Sequence, residues 1–310
     1  MNFKSFIKKK MPVSFIVKRQ RWKTLCLLKH EGKREFRRFS RAYAAPACSD
    51  QVQMESLLTF FVHQIEKGFS FDTYQYGRGR GALRNIADLS ARLIEADAQW
   101  RDKSIYKDMV LALGEYCRRH VAANQDIAFV TELFDETTKL DIVAASKKEY
   151  PSIQLSLSSK VDNATVPFKE LVERRHAVRA YSKKPVARVE LEKAIEMSLR
   201  TPSVCNRQPA RVRIFTDQQL ISKALKVQGG FGGYDIPPAL LLVTADLRAF
   251  MGANEHNEGY VDGGLFGMSL LYSLETCGLA ACPLNTMFSE EADEQTRSIR
   301  ITRCSLCILQ

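Results

Sequence analysis

Apolar positions recur every three or four residues across 51–141, a step that predicts consecutive helices with one buried face each. Val52 to Lys67 carries Leu57, Leu58, Phe60, Phe61 and Ile65, and Gly81 to Trp100 carries Leu83, Ile86, Leu89, Leu93 and Ile94. Ser104 to Arg119 carries Ile105, Met109, Leu111, Leu113 and Tyr116, and a fourth helix is expected over 125–141 on Ile127, Phe129, Val130, Leu133 and Phe134. His63 falls amid an apolar helical face and reads as a satisfied core residue. The Gly-Arg-Gly-Arg-Gly run at Gly77 to Gly81 offers backbone groups to a phosphate, but reads better as a loop between two helices.

The periodicity stops at a polar stretch, Ala144 to Pro167, rich in Ser, Lys, Asp and Asn. Beyond it, short helical and strand patterns alternate. Helices are expected at Pro167 to Arg175, Val189 to Arg200, Asp217 to Val227 with Asp217 as N-cap, and Asn257 to Thr276 ended by Gly278. Strands are expected at Arg211 to Thr216, Ala239 to Ala245 and Leu279 to Cys282. The pattern divides the chain into an arm (1–42), a helical region (43–150), a linker (151–166) and a mixed domain (167–310). The fold class expected is α+β: a central sheet flanked by helices, preceded by an all-helical region.

Charge changes this picture only at the N-terminus. The net charge of +11 is carried by residues 1–42, which hold 14 Lys and Arg against two Glu, while 43–310 are close to neutral. Such an arm suits an anionic membrane surface or a polyanion, and reads equally as a solvated tail. An apolar run at Met11 to Val17 follows Lys8, Lys9 and Lys10, but Lys18, Arg19, Arg21 and Lys23 come at once with no small-residue cleavage site, so secretion is not expected. An Arg-rich, acid-poor arm also fits an organelle transit peptide. The longest apolar run, Pro238 to Val243, is far short of the roughly 20 residues of a spanning helix, and no transmembrane segment is expected. Eight cysteines without a regular framework fit a reducing, cytoplasmic setting. Cys304 and Cys307 stand as a single Cys-x-x-Cys pair, so no metal site is expected.

Three blocks in the mixed region carry candidate chemistry. Arg174, Arg175 and Arg179 with His176 close a short helical pattern and suit an anionic ligand held by guanidinium forks. Pro202, Ser203, Asn206, Gln208 and Pro209 punctuate a helix exit with amides able to read a heterocycle edge. Tyr260, Asp262, Gly263 and Gly264 open an apolar helix that leads to Gly278-Leu-Ala-Ala-Cys-Pro-Leu-Asn285.

These blocks resemble the FMN-binding core of the nitroreductase family over roughly residues 167–299. The resemblance implies that Arg175 and His176 face the FMN phosphate and ribityl chain, and that Arg179 lies at the pyrimidine edge of the flavin. Ala177 stands where the family usually has Ser, so one hydrogen bond to the cofactor is missing, worth about 0.5 to 1.5 kcal/mol. It also implies that Ser203 and Asn206 approach flavin or substrate, that Gln208 fixes the loop, and that Pro283, Leu284 and Asn285 pass beside the isoalloxazine and offer a backbone N–H near N5. The activity implied is an FMN-dependent NAD(P)H oxidoreductase serving a small-molecule electron acceptor, with no side chain required as nucleophile or general acid. A homodimer is implied too, with Gly263, Gly264 and Gly267 suited to close helix packing. After Ile299 the family pattern fails, which predicts a shortened C-terminus lacking its strand and second cation. The competing expectation is a non-catalytic or weakly active module whose helical half binds a partner, membrane surface or polyanion.

Overall fold

The structure, a computed structural model, describes residues 12–150, 155–299 and 306–309. Contacts divide the chain into two units, 41–156 and a second that joins 1–40 to 157–310. Among the described residues the second unit starts with α1 (Val13–Ser40), 28 residues long and without a buried side chain, so this part of the basic arm is a helix.

The unit 41–156 is all helical, as its periodicity dictates. It contains α2 (Gln51–Phe69), α3 (Arg80–Ala96) and α4 (Ser104–Ala122), with a one-turn 3-10 helix Trp100–Asp102 before α4. Asp50 caps α2 by accepting from the Gln53 N–H at 3.1 Å. Leu58, Leu83, Ile86, Leu93, Met109, Leu113 and Ile142 fill the core with Trp100. The single helix expected over 125–141 is corrected to two, α5 (Ala128–Thr131) and α6 (Glu136–Ala145). Asp135 causes the break: its carboxylate accepts from the Thr137 and Thr138 N–H groups and the Thr138 hydroxyl, which starts a new helix there. Gly114 lets α4 and α6 touch, since a Cβ there would lie 2.7 Å from that of Ala145.

His63 is also corrected. It is exposed and faces Glu66 at 3.4 Å. The buried histidine is His120, stacked on Tyr116 with ring centroids 4.3 Å apart. Its Nε2 accepts from the Gly77 N–H at 2.9 Å while Nδ1 meets the Tyr116 carbonyl at 2.8 Å, which assigns the Nδ1–H tautomer. Gly77–Gly79 is therefore a loop anchored on α4, with both glycines at positive φ, while Arg80 and Gly81 already open α3.

In the second unit follow α7 (Phe168–Arg174), α8 (Arg188–Ser198), β1 (Ala210–Phe215), α9 (Gln218–Gln228), β2 (Leu240–Asp246), α10 (Glu258–Thr276), α11 (Glu290–Ser298) and β3 (Leu306–Leu309). The sheet is antiparallel in the order β1-β2-β3, with Val212 opposite Val243 and Val243 opposite Leu309. Phe266, Leu270 and Leu274 of α10 bury against Val243 and against Leu191 and Ala194 of α8. The α+β class is therefore observed, with a small sheet. Two expectations change. Leu279 to Cys282 is not a strand but contributes one isolated bridge, and residues 306–309 add a strand where the tail had none in prospect. Cys304 lies outside the described residues.

Candidate functional site

The first block leaves α7 in extended backbone and is clamped at once. Ala177 forms a parallel bridge with Ala281, and the Val178 N–H donates to the Ala281 carbonyl at 3.1 Å. Three residues on, Tyr181 stacks on Phe231 and takes a hydrogen bond from the Cys282 backbone, while burial pushes its phenol above the ordinary tyrosine range. Residues 177–181 therefore run beside 281–282.

Within that block the cations divide. Arg174 is spent on structure: its guanidinium donates to Asp162, Glu170 and, at 2.9 Å, to Asn163 Oδ1. It is thereby removed from the ligand-facing set. Arg175, His176 and Arg179 make no side-chain hydrogen bond or ion pair among the described residues and are each partly exposed. Ala177 is exposed and offers no hydroxyl.

Loop 201–209 is held from several sides. Ser203 Oγ accepts from the Gln208 N–H at 2.9 Å, and Gln208 Nε2 donates to the Thr201 carbonyl and to Asn206 Oδ1. Gln208 thus fixes the loop, and the Asn206 amide keeps its own donors. Both carboxylate oxygens of Asp262, buried near the start of α10, accept from the Val204 N–H at 3.1 and 3.3 Å. This internal bracing is needed because Cys205, Asn206 and Gln208 all have positive φ, at 47°, 53° and 48°. Side chains with a Cβ pay about 1–2 kcal/mol each for that conformation, eased for Asn by local hydrogen bonds.

Arg207 closes the loop in a way no spacing rule could show. It donates to the Val204 and Ala249 carbonyls and forms a two-pronged pair with Glu255 at 2.9 and 3.0 Å. That pair holds the Glu255 carboxyl below the usual range. Also unforeseen was the buried pair of Lys160 and Glu275, joined by Asn163, whose Nδ2 reaches Glu275 Oε1 at 2.9 Å. The only hints were charged residues in a polar stretch and at the end of an apolar helix.

Over 283–285, Pro283 and Asn285 are exposed on either side of a partly buried Leu284. Leu284 packs against the cluster of Ile221, Leu225 and Phe231, and the Asn285 carbonyl accepts from Gln228 Nε2 at 2.9 Å. Among the described residues, the backbone N–H groups of Leu284 and Asn285 donate to no partner. Two guanidinium groups, an imidazole, the backbone N–H groups of Leu284 and Asn285 and the Asn206 amide keep donors that the fold does not use, and such donors suit an anionic, phosphate-bearing heterocycle. FMN is such a group.

Residues 172–232 match the model of the nitroreductase family. The likeness is confined to this segment. Solved structures similar in part include a nitroreductase family protein from Clostridium difficile, 21% identical, covering 46% of this chain and 80% of that one with a TM-score of 0.38. An FMN-dependent nitroreductase from the same species is 16% identical and covers 44% of this chain and 80% of its own, also with a TM-score of 0.38. No curated relative matches the chain. The matched segment spans the first and second blocks, the connecting helix α8 and the β1–α9 unit. Among the described residues no cluster of His, Cys, Asp and Glu suits a metal ion, and no helix is long and apolar enough to cross a membrane.

Proposed function

We propose that the chain is an FMN-dependent oxidoreductase of nitroreductase type. The observation that carries this is the joining of the three blocks: Ala177 and Val178 to Ala281, and Val204 to Asp262. When bound, FMN supplies the two-electron chemistry, taking a hydride equivalent from NAD(P)H and returning it to an electron-poor small molecule. Arg175 and His176 then serve the phosphate and ribityl groups. Arg179 supplies a fixed positive charge, and such a charge favours an anion at the pyrimidine edge. Ser203 and Asn206 orient the ring, and the unspent N–H groups at Leu284 and Asn285 face its reactive edge.

A homodimer is part of the same proposal. On helix α10, Val261, Leu265 and Met268 are exposed on one face with Gly264, where an added Cβ would meet nothing within 4 Å. That face suits a second copy of the helix.

The test is the absorbance spectrum of the purified protein, reconstituted with FMN and then reduced. Flavin bands that bleach with NADPH or NADH are expected. A colourless protein that FMN cannot reconstitute overturns the proposal and favours a non-catalytic module. Arg179→Ala is expected to weaken FMN binding and slow bleaching together, whereas Arg174→Ala lowers stability first, because its charge is used within the fold.

A further inference from the structure

Helix α1 carries nine Lys and Arg against Glu31 and Glu35. Both acids lie on the face turned to the unit's own body: Thr24, Glu31 and Glu35 are its less exposed positions, and Glu35 Oε1 meets His256 Nε2 at 3.0 Å. The remaining surface is basic. It is also apolar to a degree that charge alone does not require. Trp22, Leu25, Leu28, Phe36 and Phe39 follow at steps of three or four residues, with Gly32 filling the one turn between. Trp22 and Phe36 are 65% and 73% exposed. Lys29, Lys33 and Arg37 form the adjoining row, and with Gly32 and Phe36 they line one shallow groove.

We infer that α1 lies on an anionic phospholipid surface, with this stripe in the headgroup boundary and the lysine and arginine row on the lipid phosphates. A polyanion such as a nucleic acid would satisfy the charges but leave large apolar side chains in water. A second copy of α1 would bring like charges together. A lipid surface accepts both features at once, apolar area below and cations at the headgroups. The inference is independent of the flavin proposal, since α1 contains none of the site residues.

The full chain is tested by sedimentation with vesicles of phosphatidylcholine alone and with about one third phosphatidylserine. Binding is expected only with the anionic lipid, and is expected to fall about tenfold or more between roughly 0.1 and 0.5 M salt. Of the two tryptophans Trp100 is 1% exposed, so a blue shift of emission and loss of iodide quenching on vesicles report Trp22. Leu25→Ser with Phe36→Ser, which leaves every charge in place, is expected to weaken vesicle binding about tenfold or more while binding to duplex DNA stays at the parent level. Lys29→Glu, Lys33→Glu and Arg37→Glu together are expected to abolish vesicle binding. Equal binding to neutral vesicles overturns the inference. So does unchanged vesicle affinity in the Leu25, Phe36 variant, which points to a plain polycation. Trp22 already shielded from iodide in the lipid-free protein overturns it as well, because a second copy then covers the stripe.

Discussion

Asp262 offers the sharpest test of how the loop 201–209 is prepared for a ligand. Its carboxylate is 2% exposed and both oxygens accept from the Val204 N–H. Asp262→Ala removes a hydrogen bond to a charged group, worth about 1.5–3 kcal/mol. The loop that this bond restrains holds Cys205, Asn206 and Gln208 at positive φ. Without the anchor the backbone relaxes toward ordinary conformations, and a ligand must restore the bound form at its own expense. Since about 1.4 kcal/mol is tenfold in affinity, FMN is expected to bind about 10- to 100-fold more weakly. The assay is quenching of FMN fluorescence on titration, with thermal unfolding followed by circular dichroism on the same samples. Asp262→Asn keeps an acceptor oxygen and is expected to retain most of the affinity. Parental FMN affinity in Asp262→Ala, with only the melting temperature lowered, would refute the reasoning and reduce Asp262 to a helix-to-loop brace.

Other consequences follow from single contacts. Leu265→Arg, on the exposed face of α10, is expected to turn the proposed dimer into a monomer by light scattering with little change in helix content. The Arg248 guanidinium beside Asp246, aided by a backbone N–H, lowers that carboxyl to about 2. Its stabilising share is therefore complete above the ordinary aspartate value, about 3.9, and is lost as pH falls through about 2. Asp246→Asn should flatten that part of the acid-unfolding curve. His120→Leu leaves the Gly77 N–H without its acceptor and is expected to cost about 1–3 kcal/mol in urea unfolding. Burial pushes the Cys117 thiol up to about 12, so alkylation at neutral pH should mark exposed Cys26 and Cys205 and spare Cys117 until the protein unfolds.

Much of the architecture lay in local pattern. The three-and-four step of Leu83, Ile86, Leu89 and Leu93 suffices for α3, because an amphipathic stripe on one helix needs no distant residue to define it. Asp217 was readable as the cap of α9 for the same reason, since its carboxylate meets N–H groups two and three residues on. The order of the three blocks could also be read, and with the first two the likeness to the family whose model matches 172–232. What tertiary structure alone decided were the partners. Nothing local distinguishes Arg174 from Arg175, yet one is bound by Asp162 and Glu170 and the other is not. Apolar neighbours suggested that His63 was buried, but the turn of α2 points it to solvent, while His120 is drawn inward by a loop 43 residues away. The helix of the arm hid in a charge run, and the strand at 306–309 became one only by pairing with β2, because an edge strand exists through its neighbour's hydrogen bonds and not through its own residues.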